Sequence, residues 1–223
     1  MNKLITIYIL NRKQDTAVWL ASIVAITLLL LRVKVTQSMF LLFLIWNLFL
    51  AIIPYYLSSS IYTNFFTSGK KIQNSIYVLI WLLFIPNTFY ILTDFTHLHY
   101  HNKLQFGLDM LILSSFSFAG FYLGLLSLHH IHHLTNAKYG TKKGNLFVFF
   151  ISFLSAFGIY LGRVLRFNSW DIISNPSELA YQSIYALYNI ETIIYTLQLG
   201  IIILISYIIF YHWKQKNFNH NTH

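Results

Sequence analysis

The chain has 223 residues, of which 57% are hydrophobic and only 9% are charged. Its mean hydropathy of +0.58 excludes an ordinary soluble domain. The formal charge of +9 does not predict a nucleic-acid partner, because the basic residues are spread over short segments between apolar blocks. The absence of cysteine excludes disulfides, thiolate catalysis and cysteine-ligated metals.

Six apolar blocks predict six membrane-spanning helices. They occupy residues 16–31, 39–57, 72–93, 106–128, 146–162 and 192–211, and most approach the roughly 20 residues that cross a hydrocarbon core. The predicted fold class is all-α: an integral membrane bundle of about six transmembrane helices plus a short interfacial helix. In this prediction residues 1–15 are an N-terminal segment, 16–212 the membrane domain and 213–223 a C-terminal tail.

Charge is distributed unequally over the two faces that six crossings define. One face holds ten cations against the single acid Asp15, and so carries the whole formal charge. The positive-inside rule makes this face cytoplasmic, with both termini on it. The other face holds five acids and five cations: Asp94, Asp109, Asp171, Glu178, Glu191, Arg32, Lys34, Lys103, Arg163 and Arg166.

Several residues in the first three blocks are predicted to have local roles. The first block is short for the hydrocarbon core, so Arg32 and Lys34 should snorkel to the outer interface. The second places Asn47 at mid-depth and Pro54 one turn from its cytoplasmic end. Pro86 in the third block frees a carbonyl, which the adjacent Asn87 can satisfy. A simple kink is one interpretation of this pair, and a contact to a ligand is the other.

Two pairs of glycines form small-residue seams of the GxxxG type. Gly120 and Gly124 lie in the fourth block, and Gly158 and Gly162 lie in the fifth. In lipid such seams let helix backbones approach closely. We expect the fourth and fifth helices to pack on each other through them; a homodimer contact through one seam is the alternative.

The outer connection between the fifth and sixth blocks is predicted to contain a helix. Asn175 suits an N-cap, Pro176 the first helical position and Glu178 the third. The helix over 176–189 has a broad face of apolar and tyrosine side chains. It should lie flat at the outer interface or fold back as a lid.

The outer ends of the third to sixth crossings should bring ionisable side chains to a similar depth. Such groups are costly near hydrocarbon unless they are paired, which makes them functional candidates. Arg163 and Arg166 have the i, i+3 spacing of one helix face, and are expected beside Asp94 and Asp109. They could form a structural clamp, hold an anion bidentately, or relay protons or ions. The ligand-binding candidates are Asn87, Asp94, Asp109, Arg163, Arg166, Asn168, Trp170 and Asp171.

Two clusters of histidines invite a metal interpretation. One contains His97, His99 and His101, and the other is the HxxHH-containing run His129, His130, His132 and His133. The HxxHH spacing is similar to that of membrane di-iron desaturases, which need several histidine boxes on the same side of the membrane. Here the fourth crossing separates the clusters. We therefore expect no metal and no other cofactor, and we interpret the second cluster as cytoplasm-facing interfacial residues.

Two longer motifs carry a family resemblance. They are Trp81-Leu-Leu-Phe-Ile-Pro-Asn-Thr-Phe-Tyr-Ile-Leu-Thr-Asp94, followed by His97-Leu98, and Gly162-Arg163-Val-Leu-Arg166-Phe-Asn168-Ser-Trp170-Asp171. In these motifs the chain resembles the bacterial predicted multi-pass membrane proteins called domain of unknown function 1361. The resemblance runs from about the second to the sixth crossing. It implies a membrane architecture and no particular reaction, and with the charge pattern it predicts the inner (cytoplasmic) membrane of a bacterium.

Three functions remain open from the sequence. The leading hypothesis is binding or translocation of a small anionic solute or lipid headgroup in a polar pocket of the outer leaflet, with membrane lipids as partners. A second is a membrane enzyme acting on a lipid-linked substrate, with Asp94 as general base assisted by His97, and Asp109 as a further catalytic candidate. A third is a non-catalytic assembly partner that packs through a glycine seam.

Overall fold

The computed structural model describes the backbone of residues 3–67, 71–98 and 103–220, and the side chains of residues 16, 18–65, 72–98 and 104–217. His99, His101 and the side chains of Asp15 and Lys103 therefore lie outside the described residues. Over the described ranges the chain is helical and contains no strand. The helices are α1 (Lys3–Thr36), α2 (Phe43–Thr67), α3 (Lys71–Tyr90), α4 (Lys103–Tyr139), α5 (Thr141–Arg163), α6 (Asp171–Ser174), α7 (Pro176–Leu187) and α8 (Ile190–His220), and a 3₁₀ helix (Ile91–His97) continues α3.

Six helices in the described part of the chain are long and apolar enough to cross a membrane. The spans are Val18–Thr36, Phe43–Phe65, Ile72–His97, Leu104–Tyr139, Thr141–Arg163 and Ile190–Asn217. They confirm the predicted all-α membrane bundle. Because successive spans run in opposite directions, the bundle has two ends, which we name after Asp94 and His130.

Helix α4 lies at the centre of the bundle. It packs against α1, α2, α3 and α5, while α8 packs mainly on α5. A Cβ atom added at Gly120 would collide with Ile91 of the 3₁₀ helix, and one added at Gly124 would collide with Thr88 of α3. Glycine therefore lets α3 and its 3₁₀ extension approach α4 closely.

The glycines of α5 also face α3. A Cβ atom at Gly158 would lie 2.8 Å from Cγ of Pro86, and one at Gly162 would lie 3.4 Å from the Tyr90 ring. The prediction that α4 and α5 pack through their seams is therefore wrong about the partner, although the two helices do touch. The reason is that α3 lies against both helices and places its bulkier side chains over both seams.

Helix α2 is displaced along the sequence from its predicted block. It begins at Phe43 and continues to Thr67, so Asn47 lies one turn from its start and Pro54 lies near its middle. Both residues therefore lie at other positions along the helix than the predicted block gives them, and for the same reason. The serines at 58–60 do not end the helix. The Ser58 hydroxyl donates to the Tyr55 carbonyl at 2.9 Å, so its hydrogen-bonding capacity is used inside α2.

A buried hydrogen-bond chain joins the three central helices. The Trp81 indole N–H of α3 donates to Ser127 Oγ of α4 at 2.7 Å. Ser127 Oγ donates in turn to the carbonyl of Pro54 in α2 at 2.9 Å. Trp81 and Ser127 are fully buried. This chain fixes the mutual positions of α2, α3 and α4.

The predicted helix in the last connection is present as α7. Pro176 occupies its first turn, as predicted, although the Asn175 side chain makes no capping hydrogen bond. Ala186 is its buried residue, whereas Tyr181, Ile184 and Tyr185 are at least 60% exposed. Its apolar face is thus open to the surroundings of the bundle.

Candidate functional site

Asp94, which is fully buried, and Arg163, which is partly buried, form an ion pair where the 3₁₀ helix meets the end of α5. Nη2 of Arg163 lies 2.7 Å from Oδ1 of Asp94. Its Nε donates to Thr93 Oγ1 at 2.9 Å, and its Nη1 lies 3.0 Å from Nε2 of His97. Asn47 of α2 donates to the second carboxylate oxygen of Asp94 at 2.8 Å. The predicted association of Asp94 with Arg163 is therefore confirmed, and Asn47 adds α2 to the network.

The carboxylate of this ion pair is closed to further partners, and we name Asp94 with Arg163 the closed pair. The Asp94 side chain is 0% exposed and both of its oxygens accept hydrogen bonds. Each guanidinium nitrogen of Arg163 has a partner, and the guanidinium carbon lies 4.6 Å from the centre of the Tyr90 ring. A substrate could reach the Asp94 carboxylate only by opening the pair. The role of Asp94 and His97 as base and assistant stays a prediction.

A second buried pair joins α1 to α4. Nε of Arg32 lies 2.8 Å from Oδ1 of Asp109, Nη2 donates to Oδ2 at 3.1 Å, and Nη1 donates to the Ser38 carbonyl at 3.0 Å. The two residues are 3% and 4% exposed. The predictions that Arg32 snorkels and that Asp109 lies beside Arg163 and Arg166 are therefore wrong. Because α1 continues to Thr36, Arg32 lies one turn before the end of the helix. Since α1 packs along α4, the Arg32 side chain faces Asp109.

Arg166 does not share a helix face with Arg163. Helix α5 ends at Arg163, and Arg166 follows it with a φ of 63°. The Phe167 N–H donates to the Leu161 carbonyl, six residues earlier, at 3.0 Å, so backbone groups close a turn in which Arg166 has the left-handed conformation. Glycine is usual there, and a residue with a Cβ atom loses about 1–2 kcal/mol. The Arg166 side chain is exposed and makes no hydrogen bond or ion pair with a described residue.

Asp171 stabilises a turn and does not belong to the Asp94 network. Its Oδ2 accepts the Asn168 N–H at 2.6 Å, and its Oδ1 accepts the Ser174 hydroxyl at 2.8 Å. These bonds, that of Asn168 first, hold the pKa of Asp171 below its ordinary value. Glu191 is also outside the Asp94 network. Its side chain is exposed, and its backbone N–H donates to Asn189 Oδ1 at the start of α8. Neither Asp171 nor Glu191 therefore forms a hydrogen bond with the Asp94 network.

Residues 167–170, which we name the re-entrant segment, turn back along the bundle after α5. Ser169 Oγ donates to the Leu83 carbonyl at 3.2 Å and accepts from Asn87 Nδ2 at 3.1 Å. Asn87 precedes Asp94 by seven residues, or about 12 Å along α3 and the 3₁₀ helix. The segment thus extends past the Asp94–Arg163 pair towards the middle of α3. At membrane depth, irregular backbone occurs where it is buried in protein or lines a cavity.

The re-entrant segment borders a cavity of about 370 Å³, which we name the groove. Its walls are largely apolar, and Trp46, Leu83 and Leu154 are between 37% and 52% exposed at its rim. The groove therefore opens sideways between α2 and α5, over α3. It is lined by Trp46, Asn47 and Leu50 of α2, by Leu82, Leu83, Pro86, Asn87 and Tyr90 of α3, by Leu154, Phe157, Gly158, Leu161 and Gly162 of α5, and by Phe167, Asn168, Ser169, Trp170, Ile172 and Leu179.

A family model described as "protein of unknown function (DUF1361)" matches residues 46–206, which is well over half of the chain. The chain belongs to this family. The resemblance stated from the two motifs is thus confirmed, and the matched part contains the groove and the Asp94–Arg163 pair. No curated protein and no solved structure matches the chain.

The predicted ligand-binding residues of this DUF1361 protein separate into five groups. Asn87, Asn168 and Trp170 line the groove, and Asp94 with Arg163 forms the closed pair beside it. Arg166 directly precedes the groove residue Phe167, while Asp109 and Asp171 belong to the α1–α4 pair and the turn. Ser169, Tyr90 and the apolar walls were missed from the sequence. Tyr90 and Ser169 each had a signal, since Tyr90 stands inside the first motif and Ser169 inside the second.

The second histidine cluster is less exposed than predicted. His130 and His132 are buried: Nδ1 of His130 lies 3.2 Å from Ser58 Oγ of α2, and Nδ1 of His132 lies 2.7 Å from the Tyr207 hydroxyl of α8. The interfacial interpretation is wrong for these two residues, because α4 presents them to opposite neighbouring helices. Among the described side chains no group of three His, Asp or Glu converges as metal ligands would. The expected lack of a metal stays a prediction.

Proposed function

We propose that this protein binds an amphipathic membrane lipid in the groove, with the lipid chains against the apolar walls and the headgroup at the re-entrant segment. The observation that carries the proposal is the groove itself. Its volume of about 370 Å³ lies within the range of roughly 300–1,000 Å³ typical of small-molecule sites. Its polar side chains include Asn87, Asn168 and Ser169, which meet where the re-entrant segment touches α3.

The position of the groove favours a lipid over a solute from water. Leu83 and Leu154 are partly exposed on membrane-spanning helices, so in a bilayer they face hydrocarbon chains. A lipid can enter sideways without leaving the bilayer. Of the two arginines expected to hold a free anion, Arg163 and Arg166, the first already has a partner at each nitrogen. Binding of a lipid therefore fits the contacts better than binding of a small solute, and translocation stays a prediction.

We further propose that the protein lies in the inner membrane of a bacterium with the Asp94 end outside. The His130 end holds most of the lysines of the chain, which the positive-inside rule assigns to the cytoplasm. The headgroup of a lipid bound in the groove would then lie in the outer leaflet. Labelling of single cysteines at Thr96 and Thr141 in intact cells by an impermeant thiol reagent tests this orientation: reaction at 96 alone supports it, and reaction at 141 alone contradicts it.

The two alternative functions have weaker support from the contacts. An enzyme using Asp94 as a base would need the closed pair to open. An assembly partner that packs through a glycine seam would need a surface beside α3, because α3 already covers Gly120 and Gly158. Both alternatives stay predictions, as does a homodimer through a seam.

A pair of tryptophan substitutions tests lipid binding. Leu154 lines the groove and is 47% exposed, whereas Leu197 of α8 lies outside it and is 48% exposed. Purified, delipidated protein is titrated with phospholipid while its thermal midpoint is recorded. A ligand at 100 times its Kd stabilises the folded state by about 2.7 kcal/mol. We expect saturable stabilisation of the wild type and of Leu197→Trp, and a much weaker response of Leu154→Trp. Equal responses of all three proteins would contradict the proposal.

A further inference from the structure

Arg166 is held in a backbone conformation that its side chain does not favour. It occupies the left-handed position of the turn after α5, with a φ of 63°. Glycine would adopt this conformation without a Cβ clash. The turn itself is made by backbone groups, the Phe167 N–H and the Leu161 carbonyl. The arginine side chain therefore contributes nothing to the turn.

Arg166 is also the arginine at the Asp94 end whose guanidinium is available. Arg32 is bound to Asp109 and Arg163 is bound to Asp94. Arg166 is exposed, and no described residue forms a hydrogen bond or ion pair with it. The nearby carboxylate of Asp171 is engaged by Asn168 and Ser174. A guanidinium in this state is complementary to an anion that comes from outside the chain.

The position of Arg166 relates that anion to the groove. The next residue, Phe167, is the first groove-lining residue of the re-entrant segment, and Asn168 follows it. A lipid in the groove therefore has its polar end beside the exposed arginine if its headgroup lies at this segment. The planar guanidinium fork matches the oxygens of a phosphate in two parallel hydrogen bonds.

We infer that Arg166 binds the phosphate of an anionic phospholipid whose chains lie in the groove. The inference rests on the proposed function and adds the chemical class of the headgroup. It requires that the side chain serve the ligand and not the fold. Ligand binding and protein stability should then respond in opposite directions when Arg166 becomes glycine.

The experiment compares phosphatidylglycerol with diacylglycerol of the same chains, which lacks the phosphate. Thermal midpoints of the full-length, delipidated protein are recorded with each lipid for the wild type, Arg166→Gly, Arg166→Gln and Arg166→Lys. We expect the wild type to bind phosphatidylglycerol roughly tenfold more tightly than diacylglycerol. Arg166→Gly and Arg166→Gln should bind both lipids alike, and Arg166→Lys should keep part of the preference. Without lipid, Arg166→Gly should melt above the wild type.

Four outcomes would overturn the inference. A wild type that binds both lipids equally would leave lipid binding intact and remove the phosphate contact. A preference that persists in Arg166→Gly and Arg166→Gln would assign the phosphate to other residues. If Arg166→Gly melts below the wild type without lipid, the side chain serves the fold. If glycerol phosphate alone stabilises the wild type as much as phosphatidylglycerol does, the ligand is a free phosphate. A wild type that binds neither lipid would instead refute the proposed function itself.

Discussion

Replacing Arg163 with methionine tests the closed ion pair most severely. The substitution keeps a long apolar side chain but removes the cation that faces the fully buried Asp94 carboxylate. The Asp94 oxygens then retain Asn47 as a donor and lose Arg163. Leaving a buried charge without its partner lowers the free energy of unfolding by about 3–5 kcal/mol, because the desolvation of the carboxylate is no longer offset by an ion pair.

The reverse substitution should cost less. In Asp94→Asn the Arg163 side chain, which is 17% exposed, can reach water and keeps its contacts to Thr93 and His97. Loss of the charged partner then costs about 1–3 kcal/mol. The double variant Arg163→Met with Asp94→Asn removes both charges and should lie close to Asp94→Asn alone. The order of stability is therefore wild type, then the double variant and Asp94→Asn, then Arg163→Met.

Thermal unfolding in one detergent, followed by intrinsic fluorescence, measures this order. A loss of about 4 kcal/mol lowers the midpoint by roughly 8–16 °C for a chain of this size. Arg166→Met is the matched control, because Arg166 is exposed and bonded to no described residue, and it should change stability by less than about 0.5 kcal/mol. The reasoning is refuted if Arg163→Met unfolds within 2 °C of the wild type, or if the double variant is as unstable as Arg163→Met.

Three further variants test separate parts of the structure by the same assay. Gly158→Ala should cost about 1–3 kcal/mol of stability, because its Cβ atom would lie 2.8 and 3.0 Å from atoms of the rigid Pro86 ring. Gly107→Ala is the control and should cost nothing, because no atom lies within 4 Å of the added Cβ. Equal effects of the two substitutions would contradict the close approach of α3 and α5. Ser127→Ala should cost about 1–3 kcal/mol by leaving the buried Trp81 N–H without its acceptor, and an unchanged midpoint would contradict that role. Asp171, whose pKa is lowered in the folded state, stabilises the protein above its ordinary pKa, and this contribution is lost as pH falls through the lowered value. Midpoints recorded between pH 7 and pH 3 should therefore decline less in Asp171→Asn than in the wild type, and parallel profiles would exclude the effect.

The sequence was sufficient for the number and kind of the helices, because six long apolar blocks have few other physical solutions. The residues at which the helices begin and end were harder to predict. Polar residues such as Ser58 and Arg32 resemble the end of a span, yet each finds a partner inside the bundle: Ser58 bonds to the preceding turn, and Arg32 bonds to Asp109. Whether a polar side chain ends a helix depends on these partners, which the local sequence does not specify.

The pairing of ionisable residues at the candidate site was predicted only in part. Asp94 and Arg163 were expected together, while Asp109 was assigned to the wrong arginine because the sequence does not say that α1 packs on α4. A glycine seam accepts any helix of suitable shape, so it could not identify α3 as the partner of both seams. The groove had no signal of its own, since its leucines and phenylalanines resemble any lipid-facing surface.

A photo-crosslinking residue at Leu83 tests the central claim, lipid binding in the groove, most directly. Leu83 lines the groove, whereas Leu79, one turn earlier on α3, is exposed outside it and serves as the control. After irradiation of native membranes, mass spectrometry identifies the lipids attached at each position. The account predicts a higher yield at 83, enriched in anionic phospholipid relative to the bulk membrane. Equal yields at 83 and 79, both with the composition of the bulk lipid, would contradict it.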